Sequence, residues 1–146
     1  MELKGSTLII DDDADFDKIT SDHRSKVETL VIKLNIIKSK SFQNFRKLEK
    51  LIIKIAKRTG KGTFAGCKNL EEVVANKTVI IDGKAFEYCG KLKTLYAEVL
   101  KSIGRDAFKK CVSLENVGIP EKTYDKHKKE FKGTRVTGVM GTEQEV

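Results

Sequence analysis

The sequence predicts an α/β, β-rich solenoid in which each coil contributes two short strands and one helical turn. Two observations predict it. Four stretches superimpose at a fixed step of 22 residues: SFQNFRKLEKL from Ser41, TFAGCKNLEEV from Thr63, AFEYCGKLKTL from Ala85 and AFKKCVSLENV from Ala107. Their apolar columns stay in register: Phe42, Phe64, Phe86 and Phe108; Phe45, Cys67, Cys89 and Cys111; Leu48, Leu70, Leu92 and Leu114; Leu51, Val73, Leu95 and Val117. A unit this short cannot bury its own apolar face, so it must stack on its neighbours. Eight residues before each Phe the pattern continues, with Leu34, Ala56, Thr78 and Leu100 aligned, then Ile37, Thr59, Ile81 and Ile103. That gives each coil a second short strand.

Taken in order, residues 1–33 close the N-terminal end, with Leu8, Ile9 and Ile10 as a strand candidate. The acidic run Asp11, Asp12, Asp13, Asp15 and Asp17 follows. The alternation Asp13, Asp15, Asp17 resembles the start of a calcium loop, but Lys18 and Arg24 stand where such a loop needs Gly and Glu. A solvated acidic loop is expected instead. The first full strand is Leu30 to Lys33, one residue short of the period, which makes five parallel strands in one sheet. Within each repeat the spacing Phe64 to Cys67 suits one turn of helix, and the Leu-x-x-Val that follows leads into a strand. After Pro120, residues 121–132 form an amphipathic helix presenting Tyr124, His127 or Lys128, and Phe131 to the open end of the core. Gly133 ends it, Arg135 to Val139 offer a closing strand, and the tail from Met140 is expected to be loose.

The stretch LKSIGRDAFKKCVSLENVGIP, residues 100–120, resembles the BspA-like leucine-rich repeats, whose copies run L-x-x-I-x-I-P, then V-x-x-I-G-x-x-A-F-x-x-C. Earlier copies depart from it: Thr59-Gly60 and Ile81-Asp82 replace Ile-Gly, Val74-Ala75-Asn76 lacks the Pro, and Phe45 replaces the Cys. The resemblance implies a single right-handed leucine-rich-repeat domain over 1–146. It divides into an N-terminal cap (1–33), four repeats (34–119) and a C-terminal cap helix with tail (120–146). It also implies a protein-binding role, with adhesion to host proteins at a cell surface as the family's usual assignment.

The strand alternation sorts the side chains. With Leu30, Leu51, Val73, Leu95 and Val117 inward, three columns face outward. The central one is Val31, Ile52, Val74, Tyr96 and Gly118, an apolar ridge. It is flanked by Thr29, Lys50, Glu72, Thr94 and Asn116 on one side and by Lys33, Lys54, Asn76, Glu98 and Pro120 on the other. Apolar surface rimmed by charge suits a protein partner, so Val31, Ile52, Val74 and Tyr96 are the candidate contacts, with Lys50, Lys54, Glu72 and Glu98 tuning specificity.

Charge suggests a second surface. The chain carries +8 overall, and between Lys33 and Lys68 eleven Lys or Arg residues face a single acid, Glu49. Lys38, Lys40, Lys57, Arg58 and Lys61 fall in or beside the second strands, a candidate surface for nucleic acid or another polyanion. No aromatic residues interleave with them for base stacking. A third reading is a structural repeat cut from a longer surface protein.

Catalysis is not expected. His23 and His127 fall at opposite ends of the repeat array, and Gly60, Gly62 and Gly66 belong to the repeat's own turns. The three cysteines share one inward column and read as stacked, unpaired thiols with no base to activate them. Neither a metal nor a cofactor is expected. No apolar run approaches the roughly 18 residues of a membrane span, and Met1 to Ile10 is too short and polar for a signal peptide. The chain as written is therefore cytoplasmic, or at the cell surface or secreted if a leader or anchor has been removed, and its oligomeric state stays open.

Overall fold

Residues 1–140 are described by the computed structural model. Strands β1 (Glu2–Lys4) and β2 (Thr7–Ile10) make a hairpin across Gly5-Ser6, where Gly5 takes the left-handed φ of +61° that a tight turn requires. A 3-10 helix over Asp13–Lys18 and helix α1 (Ser21–Lys26), capped by Thr20, lead into β3 (Thr29–Ile32). Then come β4 (Lys50–Ile53), β5 (Glu72–Val74), β6 (Ile80–Ile81), β7 (Thr94–Tyr96), β8 (Ser102–Ile103) and β9 (Asn116–Gly118). The chain finishes with α2 (Glu121–Lys126) and a 3-10 turn over Lys128–Phe131.

The main sheet runs β1-β2-β3-β4-β5-β7-β9 and is parallel throughout except for the β1–β2 hairpin. It therefore holds six parallel strands, one more than the sequence suggests. The extra strand is β2, which pairs residue for residue with β3, Leu8 opposite Leu30 and Ile10 opposite Ile32. A second, two-stranded parallel sheet joins β6 to β8, and Arg58 adds one bridge to Ile80. The second strand expected in every repeat thus forms in only two of them. In the preceding repeat the Thr59 N–H donates to the Ile80 carbonyl and the Ile80 N–H to the Lys57 carbonyl, and a side chain adds to these bonds: the Asp82 carboxylate accepts the Gly60 N–H at 2.8 Å and pairs with Arg58.

One contiguous core fills the space behind the main sheet. The Phe42, Phe64, Phe86 and Phe108 rings stack at centroid distances of 5.7, 5.4 and 5.9 Å with interplanar angles of 8°, 11° and 4°. Phe16 closes one end of this column at 5.8 Å and Phe131 the other at 5.3 Å. Each fully buried ring contributes about 1.5–3 kcal/mol by leaving water, and stacked pairs add about 0.5–1.5 kcal/mol. The cysteine column does more than fill space. The thiols of Cys67, Cys89 and Cys111 donate to the carbonyls of Phe42, Phe64 and Phe86 in the preceding repeat, at 3.4, 3.3 and 3.0 Å.

The segment carrying Phe and Cys is not a helical turn. It is a run of tight turns, with bonds such as Cys67 N to Phe64 O and Leu70 N to Cys67 O. Two left-handed residues per repeat cause this: Lys40 and Asn44, Gly62 and Gly66, Lys84 and Tyr88, Asp106 and Lys110, all with φ between 58° and 77°. A left-handed residue cannot continue a right-handed helix. What it permits is a ladder between repeats. The N–H groups of Gly62, Phe64 and Gly66 donate to the carbonyls of Gly83, Ala85 and Glu87, and the same three-bond pattern links the repeats before and after.

That ladder has a carbonyl edge at its N-terminal end and an N–H edge at the other. Arg24 of α1 donates to the carbonyls of Gln43 and Ser41 at 2.8 and 3.2 Å while its guanidinium lies 5.1 Å over the Phe45 ring. At the far end, the Glu130 carboxylate accepts the Asp106 N–H at 3.1 Å. Sequence alone points to neither role.

Other expectations also change. The acidic run is solvated at Asp11, Asp12, Asp13 and Asp17 as expected, but it is not a plain loop: Asp12 caps the 3-10 helix, and Asp15 is buried, 2.8 Å from the Met1 amine. The helix expected over 121–132 breaks at His127 (φ −119°, ψ 27°), so that the following 3-10 turn can lay Phe131 on Phe108 and Glu130 on Asp106. No strand forms over 135–139. Arg135 and Met140 bond to Leu114 and Val117, each at 2.8 Å, but the tail uses five residue steps where the strand uses three, so the chain between bulges away. Beyond Met140 the loose tail expected from the sequence lies outside the described residues.

Candidate functional site

The outer face of the main sheet follows from the strand alternation. In β2, β3 and β4 half-exposed and buried residues alternate, and the inward Leu and Ile pack on the core. The register sets Ile9, Val31, Ile52, Val74, Tyr96 and Gly118 side by side across six strands. Four predicted contacts, Val31, Ile52, Val74 and Tyr96, are thus neighbours, each half-buried. Ile9 lengthens the ridge at one end, so its apolar part spans four strand spacings, about 19 Å. At the other end Gly118 is buried and carries no side chain. The signal for Ile9 lies in the chain, since TLII at Thr7, TLVI at Thr29 and KLII at Lys50 repeat one motif.

The flanking charges are less free than the sequence suggests. Lys50 and Glu72 lie opposite each other in the register, with Nζ 3.7 Å from the carboxylate. Both are partly exposed, so the pair adds little stability, but each screens the other from a third group. On the opposite margin Lys54 is exposed, and the Glu98 N–H is held by Asn76 Oδ1 at 3.3 Å. Among the described residues neither Lys54 nor Glu98 has an ion-pair partner.

The predicted basic cluster is only partly assembled. Lys38, Lys40, Lys57, Arg58 and Lys61 are all exposed, and a backbone bond of 3.2 Å sets Lys40 beside Lys61. Arg58 is engaged by Asp82 through two nitrogens, and this contact raises the guanidinium's pKa. Lys38 lies 5.1 Å from the centre of the Phe16 ring. Of the two, only Arg58 is neutralised by an ion pair.

The remaining polar chemistry is structural. Burial pushes the Cys67 and Cys111 thiols up to about 12, and burial first, then its two neighbouring cysteines, raises Cys89 well above its ordinary value. Such thiols stay protonated donors and are poor nucleophiles. His127 sits half-buried at the helix break, where desolvation, then Lys126, lowers its pKa. Among the described residues no group of three or more His, Cys, Asp or Glu could hold a metal ion, and no helix is long and apolar enough to cross a membrane.

These features, a 22-residue step, parallel strands in register and a stacked Phe–Cys core, coincide with a match to the family model described as the BspA type Leucine rich repeat region. It covers residues 35–143 in six copies. The chain belongs to the BspA-type leucine-rich repeat family. Searches of curated proteins and of solved structures returned no match. Leucine-rich repeats generally mediate protein–protein interaction, and the family is typically a non-enzymatic scaffold.

Proposed function

We propose that the protein is a right-handed solenoid, capped at both ends, that binds a protein partner on the outer face of its parallel sheet. The observation that carries this reading is the line Ile9, Val31, Ile52, Val74 and Tyr96, apolar in five successive strands and flanked by charged columns. Contiguous apolar surface with a polar rim is the anatomy of a protein interface. Tyr96 is the natural anchor, being large, rigid and amphipathic. Lys54 and Glu98 read the partner's charge, whereas Lys50 and Glu72 largely satisfy each other.

In this reading residues 1–33 and 120–146 are caps and 34–119 the repeats. The division is supported by the roles of Arg24 and Glu130 at the two ladder edges and by Phe16 and Phe131 at the two ends of the ring column. Binding, not catalysis, is the activity, and adhesion to a host protein at a cell surface is the form the family resemblance favours. The test is capture of partners by immobilised wild-type protein, washed at low and then high salt, against Tyr96→Asp and Val74→Asp. A partner retained at high salt by wild type and lost with either variant supports the ridge. Anionic polymers that elute with salt, and are lost with Lys57→Glu plus Lys61→Glu instead, would move the function to the basic corner.

A further inference from the structure

The ladder of turns ends in a site of a different kind. Each repeat gives three N–H groups to carbonyls of the next: Lys84, Phe86 and Tyr88 donate to Arg105, Ala107 and Lys109. The equivalent donors of the last repeat are Asp106, Phe108 and Lys110. Glu130 accepts from Asp106, but among the described residues the N–H groups of Phe108 and Lys110 meet no protein acceptor. Beside this open edge lies a hollow of about 400 Å³, whose lining includes Lys109, Lys110, Lys129 and Lys132 with Asp106 and Glu130. None of these four lysines has an ion-pair partner among the described residues, where the cap's one pair is Lys128 with Asp125. Four ammonium groups against two carboxylates leave the hollow with a formal surplus of two positive charges.

An edge of backbone N–H groups at left-handed residues attracts anions, and lysines supply the charge without fixing one geometry. We propose that this hollow binds the oxyanion group of a phosphate or sulfate ester, one oxygen taking the place of the missing carbonyl at Lys110. The ligand is thus a phosphorylated or sulfated molecule held at the C-terminal cap, away from the ridge and from the Lys38–Lys61 corner. The site stands independently of the protein-binding reading.

The experiment is a titration of the full-length chain with inorganic pyrophosphate, and separately with a disulfated disaccharide, at low ionic strength, followed by amide NMR. Saturable binding is expected, with the largest shifts at Phe108, Lys110 and residues 129–133. Lys109→Glu plus Lys132→Glu should weaken it by about tenfold or more with an unchanged thermal midpoint, whereas Lys57→Glu plus Lys61→Glu should leave it unchanged. The tighter of the two probes identifies the ester. Shifts centred on Lys38 to Lys61, equal losses in both double variants, or no saturation by either probe would overturn the proposal.

Discussion

Phe86→Ala probes the core column where it is most constrained. The ring is fully buried between Phe64 at 5.4 Å and Phe108 at 5.9 Å, within 11° of parallel to both. Truncation loses the transfer energy of the ring, two stacked pairs of about 0.5–1.5 kcal/mol each, and leaves a cavity. Neighbours could reduce that cavity only by moving inward. Phe64 is tied through its own N–H to Ala85 at 2.9 Å, and the Phe108 ring is held from its other side by Phe131 at 5.3 Å, so collapse is restricted. The cost should therefore fall in the upper part of the usual range, about 4–5 kcal/mol. At roughly 0.1 kcal/mol of stability per residue this is a large share of the total. Urea unfolding followed by far-UV circular dichroism should show a much lower midpoint at an unchanged slope. A loss below about 1 kcal/mol would refute the repeat alignment and the stacked column together.

Three further perturbations test the rest of the framework. Gly104→Ala should destabilise strongly, by about 2 kcal/mol or more, because a Cβ there would collide with the Gly83 N and lie 2.8 Å from the Asp82 C; a thermal midpoint within a degree or two of wild type would contradict so close an approach. Arg24→Lys should cost about 1–3 kcal/mol despite keeping the charge, since an ammonium cannot serve both the Ser41 and Gln43 carbonyls while covering Phe45; neutral unfolding energetics would remove the capping role. The raised thiol values predict alkaline sensitivity: stability attributable to the thiols is fully present below their ordinary value and is lost as pH rises toward about 12, where the unfolded chain has released protons that the folded one retains. The fall should approach about 1.4 kcal/mol per pH unit for each thiol, and Cys67→Ser, Cys89→Ser and Cys111→Ser should flatten it.

Much of this fold is written in the sequence because repetition multiplies a weak signal. One Phe or Cys says little, yet the columns through Phe86, Cys89 and Leu92 are fully buried. The outer ridge was legible for the same reason, since a period of two assigns Val31, Ile52 and Val74 to one face as soon as Leu30, Leu51 and Val73 are inward. Local conformation was less legible. A Phe-x-x-Cys spacing of three fits a helical turn and a chain of tight turns equally well. Left-handed φ at Lys84, Tyr88 and Lys110 has no compositional signature, whereas Gly62 and Gly66, and more weakly Asn44 and Asp106, are residue types that favour it. The two ends of the turn ladder were hardest, because Arg24 and Glu130 act across about 20 residues on backbone groups that no side-chain pattern reveals. In the candidate site, the Lys50–Glu72 and Arg58–Asp82 pairs depend on side-chain rotamers as much as on register.

Whether the outer sheet face is the contact surface is decided by side-chain footprinting of the complex with a captured partner. Backbone amides in the sheet are already hydrogen-bonded, so side-chain labelling is the sensitive readout there. Carbene labelling, free and bound, should show protection at Val31, Ile52, Val74 and Tyr96, with Lys54 and Glu98 at the margin. Protection confined to Lys40, Lys57 and Lys61 or to the C-terminal cap, with the ridge labelled as in the free protein, would contradict it.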